Sequence, residues 1–80
     1  MSKIRLMLAD DHTLFRQGIR TLISVESDME VVGEAATGND AVERAAELRP
    51  DVILMDIGMP GISSFEATRQ IKKNRPETKV

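Results

Sequence analysis

Arg49-Pro50-Asp51-Val52-Ile53-Leu54-Met55-Asp56 is the stretch on which the fold turns. Pro50 cannot continue a helix, because it lacks a backbone N–H and its ring clashes with the preceding turn. Four consecutive apolar residues, Val52 to Met55, then run without a polar break into Asp56. A run of this length without alternation suits a strand covered on both faces, as in a parallel sheet. A strand over about 52–56 is therefore expected, with an acid at its carboxyl end.

Upstream, Ala41, Val42, Ala45, Ala46 and Leu48 form an Ala-rich apolar face, predicting a helix over 40–48 that starts in the turn Thr37-Gly38-Asn39-Asp40. Met29 to Ala35, around Val31 and Val32, reads as a strand. Leu14, Phe15, Ile19, Leu22 and Ile23 recur at helical spacing, predicting a helix over 13–25. Gly18 lies on that stripe and suggests close packing, while Arg16, Gln17 and Arg20 are expected to point away. The first strand, 4–9, is the apolar run Ile4 to Ala9, and Asp10-Asp11-His12-Thr13 offers small polar side chains to cap the helix that follows.

Downstream, Ile57-Gly58-Met59-Pro60-Gly61 is a Gly- and Pro-rich loop. Ser63 or Ser64 caps a third helix, 64–75, with Phe65, Thr68 and Ile71 facing inward. Arg69, Lys72, Lys73 and Arg75 load its far end with positive charge, which suits the helix dipole and a solvated surface. Glu77 to Val80 leads toward a fourth strand. The order β-α-β-α-β-α, joined by right-handed crossovers, implies an α/β fold with a doubly wound parallel sheet.

In such sheets ligands bind beyond the carboxyl ends of the strands, where the strand order reverses. If the first and third strands are neighbours, Asp10, Asp11 and Asp56 converge, although Asp11 and Asp56 are 45 positions apart in sequence. Crowded carboxylates either raise a pKa or recruit a cation. Hard oxygen donors without Cys or a His cluster favour Mg²⁺. A carboxylate can also act as a nucleophile and become an acyl phosphate, and Asp56 on the central strand is the candidate. The aspartate-nucleophile hydrolases usually carry a second acid two residues on. Here Gly58 occupies that position, which counts against them. His12 beside the acids reads as a surface residue at a helix start.

Composition narrows the classes. The 80 residues allow one domain, and a net charge of −2 with 30% charged and 41% hydrophobic residues is ordinary for a globular protein. There is no basic excess for a nucleic-acid module, and Phe15 and Phe65 are too few aromatics for a base-stacking platform. No signal peptide or membrane span is legible. The absence of Cys fits a reducing cytoplasm.

Several ordered motifs carry a resemblance over the entire chain: Leu8-Ala9-Asp10-Asp11-His12, Val31-Val32-Gly33-Glu34-Ala35, Arg49 to Asp56, Met59-Pro60-Gly61 and Glu66-Ala67-Thr68-Arg69. The sequence resembles the receiver domain of two-component response regulators, most closely the NarL/FixJ-type branch. That resemblance implies a flavodoxin-like (CheY-like) sheet in the order 2-1-3, with residues 1–80 as the N-terminal part of a receiver. It implies Asp56 as phosphoacceptor, with Mg²⁺ held directly by Asp11, through water by Asp10, and by Asp56 and the backbone carbonyl of Gly58. The phosphodonor would be a sensor histidine kinase or a small acyl phosphate. Ser64 departs from the family, which usually has Gly there, and so bears on the loop entering the third helix. The family's phosphoryl-binding hydroxyl and Lys end a fourth and a fifth strand, and Thr78 and Lys79 fall before both. A DNA-binding domain would belong to the parent protein and not to this chain. The alternative expectation is a truncated, signalling-incompetent receiver fragment that self-associates into a homodimer through the exposed edge of Val52 to Met55 or by exchanging elements.

Overall fold

A computed structural model describes residues 3–80. Three βα units follow one another: β1 (Ile4–Ala9), α1 (Thr13–Ser24), β2 (Met29–Ala35), α2 (Gly38–Leu48), β3 (Val52–Met55) and α3 (Ser64–Asn74). The strands form one sheet in the order β2-β1-β3, and both pairs are parallel. This is a doubly wound, flavodoxin-like sheet of three βα units. β3 ends at Met55, so Asp56 stands just past the strand rather than in it.

Being central, β1 is the most deeply covered strand, and Leu6 to Ala9 are all exposed by 3% or less. Its register with β3 runs from Leu6↔Val52 to Ala9↔Met55, which brings the two carboxyl ends level. Against β2 the register slips by one residue between Leu6 and Met7. Side chains alternate between the two faces of the sheet. Met7, Ala9 and Ile53 enter a core with Ala35, Ala41, Ala45, Met59 and Ile71 beneath α2 and α3. Leu8 and Leu54 point the other way and, with Phe15 and Ile19 of α1, line an open cleft of about 250 Å³.

Side chains fix the starts of α2 and α3. Thr37 Oγ1 accepts from Asp40 N at 3.0 Å, and Ser63 Oγ accepts from Glu66 N at 3.1 Å. Each contact satisfies an amide that the helix itself leaves free. Arg49 ends α2 in a left-handed conformation at φ 50, and Pro50 follows. The loop after Asp56 is seated on α2: Gly38 N donates to Pro60 O at 3.1 Å, and Ile62 N to Asn39 Oδ1 at 3.1 Å. Only glycine fits at position 38, because a Cβ there would lie 2.2 Å from the Ile62 carbonyl oxygen.

Four expectations are corrected. Only part of the α1 stripe faces inward: Ile19 and Ile23 are half-buried against the sheet, whereas Leu14, Phe15 and Leu22 are 83%, 55% and 66% exposed. Arg16, expected to point away, is half-buried too, and Arg16 and Arg20 both reach Glu34 on β2. Among the described residues Gly18 has no close neighbour, since a Cβ added there would meet nothing of them within 4 Å. Phe65 is 74% exposed, because a helix beginning at Ser64 buries Ser64, Ala67 and Ile71 at its own period. The outer edge of β3 is partly occupied by the chain itself: Ile53 N donates to Lys79 O at 2.7 Å and Lys79 N to Asp51 O at 3.0 Å. Lys79 pairs in parallel with Val52, and buried Thr78 donates to Pro50 O at 3.1 Å.

Candidate functional site at the carboxyl ends of β1 and β3

Asp10, Asp11 and Asp56 come together because β1 and β3 are neighbours in register. The Asp56 amide donates to Ala9 O at 2.8 Å and the Asp10 amide to Ala35 O at 2.9 Å, so both acids leave the sheet at a fixed height. One oxygen of each carboxylate and the Nδ1 of His12 lie within 4.8 Å of one another, a spacing that one cation can bridge. Asp10 is buried, Asp56 half-buried, and Asp11 and His12 face solvent. Gly58 passes beside the group, and a Cβ on it would stand 3.9 Å from Asp56 Oδ2.

His12 is the residue whose role the sequence understated. Its Nδ1 lies 2.6 Å from Asp10 Oδ1, 3.2 Å from Asp11 Oδ1 and 3.9 Å from Asp56 Oδ2. It does not cap α1 with its side chain, which leaves the ring to the acids. Hydrogen bonding to Asp10, with the charges of Asp11, Asp10 and Asp56, holds the imidazole above its ordinary pKa. Burial works to raise the Asp10 carboxyl, but hydrogen bonds from the His12 amide and ring, with the Arg16 charge, keep it below the usual range. The signal was present in sequence as adjacency. A helix that starts in extended backbone can turn its first side chain back over the strand end.

Two further residues support the site. Arg16 donates through Nε to Glu34 Oε1 at 2.9 Å and through Nη1 to the Asp10 carbonyl, linking α1, β2 and the end of β1. Arg20 Nε takes the other Glu34 oxygen at 2.9 Å. Burial opposes the Glu34 charge, but the two guanidiniums hold its carboxyl below the ordinary range. Ser64, where the resemblance expects Gly, is buried and donates its hydroxyl to the Asp56 carbonyl, pinning the backbone that carries the acid.

Residues 6–80 match the response regulator receiver domain family. The chain belongs to that family. It is 49% identical over 77 residues to the response regulator protein VraR of Staphylococcus aureus, an alignment covering 96% of this chain and 37% of VraR. The response regulator domain of Thermotoga maritima CheB superposes with a TM-score of 0.88 at 44% identity, covering 92% of this chain and 55% of that one. CheY6 from R. sphaeroides, solved in complex with the P1 domain of CheA3, matches at a TM-score of 0.80 and 33% identity over 92% of this chain and 58% of that one. The chain thus spans little more than a third of VraR and just over half of the CheB receiver chain. Among the described residues of this receiver, no helix is long and apolar enough to cross a membrane.

Proposed function

We propose that the chain is the phosphoacceptor part of a two-component response regulator, in which Asp56 takes a phosphoryl group with Mg²⁺ as cofactor. The observation that carries this reading is the convergence of Asp10, Asp11 and Asp56 at the level ends of β1 and β3. Residues 1–80 would supply the N-terminal part of the receiver, consistent with its share of the CheB chain. The phosphodonor is a phosphohistidine on a sensor histidine kinase in the cytoplasm, or a small acyl phosphate. A structural relative solved with a domain of a second protein supports a protein donor.

The donor set fits Mg²⁺. Three carboxylates with the His12 ring beside them and no sulfur form the cluster, and its oxygens suit a hard cation with retained waters. Asp11 and Asp56 would hold the ion directly with the Gly58 carbonyl, and Asp10 would hold it through water. Bound there, the ion neutralises the repulsion between an anionic nucleophile and an anionic phosphoryl group.

In the transfer an Asp56 carboxylate oxygen forms a bond to phosphorus while the phosphorus–nitrogen bond of the donor breaks. The donor imidazole leaves with the electron pair and takes up a proton, and Asp56 becomes an acyl phosphate. Ser64 keeps the Asp56 backbone still during the attack, and the burial of Asp10 keeps one anchor of the site fixed.

Incubation with acetyl phosphate and Mg²⁺, read by intact-mass spectrometry, is expected to add one phosphoryl group. The addition disappears in Asp56→Asn and when the cation is chelated. No uptake by the wild-type chain, or equal uptake by Asp56→Asn, would refute this function.

A further inference from the structure

We propose that Ser64 is a positioning residue for Asp56, and that its buried hydroxyl sets the rate of phosphoryl acceptance while contributing nothing to donor binding. The inference rests on the phosphoacceptor role proposed above and assigns that role a determinant on α3.

The need for such a residue follows from where Asp56 sits. β3 ends at Met55, so the sheet holds only one side of the Asp56 backbone, through the amide that donates to Ala9 O at 2.8 Å. Among the described residues no main-chain amide donates to the Asp56 carbonyl. The next bonded points of the loop are Pro60 and Ile62, both on α2, and Ile57 and Gly58 before them are exposed. With the amide alone held, rotation about the N–Cα bond would swing the carbonyl and the carboxylate together. A bond on the carbonyl oxygen removes that freedom.

Ser64 supplies the bond. Its hydroxyl donates to the Asp56 carbonyl from a residue only 5% exposed, at the first position of α3. The helix is itself fixed there, because Ser63 caps it by accepting from Glu66 N at 3.1 Å. One turn on, Thr68 donates to Met55 Sδ at 3.5 Å, so the same face of α3 also meets the last residue of β3. The two contacts differ in what they hold. Thr68 touches a neighbouring side chain, whereas Ser64 holds the main chain of the acid. Glycine, which the resemblance expects at position 64, has no hydroxyl for this bond.

The chemistry makes orientation count. With acetyl phosphate, an Asp56 carboxylate oxygen bonds to phosphorus as the phosphorus–oxygen bond to the acetyl group breaks, and acetate leaves with the electron pair. The attacking oxygen must lie roughly in line with the leaving one, and a misplacement of about 1 Å costs on the order of a hundredfold in rate. The Ser64 hydroxyl is buried against the backbone, so its loss slows the attack and leaves the donor's own contacts in place.

The test follows phosphoryl uptake by intact mass over a range of acetyl phosphate concentrations with Mg²⁺. It compares the wild-type chain with Ser64→Ala, Ser64→Gly, Ser64→Thr and Thr68→Val, each checked for folding by thermal unfolding. The expected result is about a tenfold fall in limiting rate in Ser64→Ala and Ser64→Gly, with the half-saturating concentration within about twofold of wild type. Ser64→Thr restores the rate, because it keeps the hydroxyl and its methyl has room in the open cavity of about 280 Å³ beside Ser64 and Thr68. Thr68→Val loosens the contact to Met55 alone and leaves the rate unchanged. A wild-type rate in Ser64→Ala would overturn the inference, as would a change confined to the half-saturating concentration. Equal losses in Ser64→Thr or in Thr68→Val would overturn it too, because packing and not the hydroxyl would then set the rate. If Ser64→Ala and Ser64→Gly do not fold, Ser64→Cys takes their place, since a thiol of similar size is a weak donor. Slower uptake by that variant supports the inference and a wild-type rate refutes it. If the wild-type chain takes up no phosphoryl group, the phosphoacceptor role itself falls and the inference falls with it.

Discussion

On the α2 and α3 side of the sheet, Met7, Ala9 and Ile53 are exposed by 1% or less and close against Ala41, Ala45 and Ile71. On the α1 side, Leu14, Leu22 and Val25 are between 66% and 83% exposed, and no residue of α1 is fully buried. One face is closed by apolar packing, whereas on the other the half-buried Ile19 and Ile23 are supplemented by the pairs from Arg16 and Arg20 to Glu34. The acidic cluster straddles this division. Asp56 hangs from the packed side through a loop seated on α2, while Asp10, Asp11 and His12 lead into α1. Fixing the nucleophile thus depends on the core, and the position of the remaining groups depends on charge.

Paired truncations test this contrast most strongly. Ile53→Ala removes a branched side chain from the packed face, and a loss of about 2–5 kcal/mol is expected in urea unfolding. Leu22→Ala removes a similar volume from α1 and is expected to stay within about 0.5 kcal/mol. Comparable losses from the two would erase the distinction between the faces.

The charge-held side should answer to pH. Folded Glu34 has a carboxyl pKa below its ordinary value, so its contribution is complete above the unfolded carboxylate pKa of about 4.3. That contribution declines as pH falls toward the folded value and is gone below it. Glu34→Gln is expected to cost about 1 kcal/mol at neutral pH, as a partly exposed ion pair does, and to flatten the stability profile between neutral and acid pH. A variant with the full wild-type acid slope would show that α1 is held by something other than this pair.

How far the sequence could be read follows the same division. Where the apolar sequence is continuous, as in Val52 to Met55 and Leu6 to Ala9, the pattern alone indicated parallel strands, and the neighbouring ends of β1 and β3 followed from the topology. β3 is nevertheless not covered on both faces, and Leu54 is 47% exposed. Pro50, Thr37 and Ser63 marked helix boundaries through local chemistry that needs no tertiary knowledge. The orientation of α1 was not legible. An amphipathic stripe says which face could be buried, but it does not show that Arg16 and Arg20 meet Glu34 on a distant strand while only Ile19 and Ile23 of the stripe are half-buried. Phe65 failed for a related reason: one residue turns a helix by about 100°, so Phe65 stands to the side of buried Ser64, Ala67 and Ile71. At the site, the three acids could be named from strand ends. The inward turn of His12 and the bond from Ser64 to the Asp56 carbonyl depend on backbone angles that composition does not encode.

The smallest expected effect lies at Gly18 and has the opposite sign. A glycine buried between packed elements resists replacement, as at Gly38, where a Cβ would strike the Ile62 carbonyl. Gly18 lies mid-helix with open space around it, so it retains the entropic cost of glycine without a packing role. Gly18→Ala should therefore stabilise the chain by up to about 1 kcal/mol, seen as a higher midpoint in thermal unfolding. A destabilised Gly18→Ala would mean that another element rests on this face of α1 in solution, and that the contrast between the two sides of the sheet is smaller than the isolated chain shows.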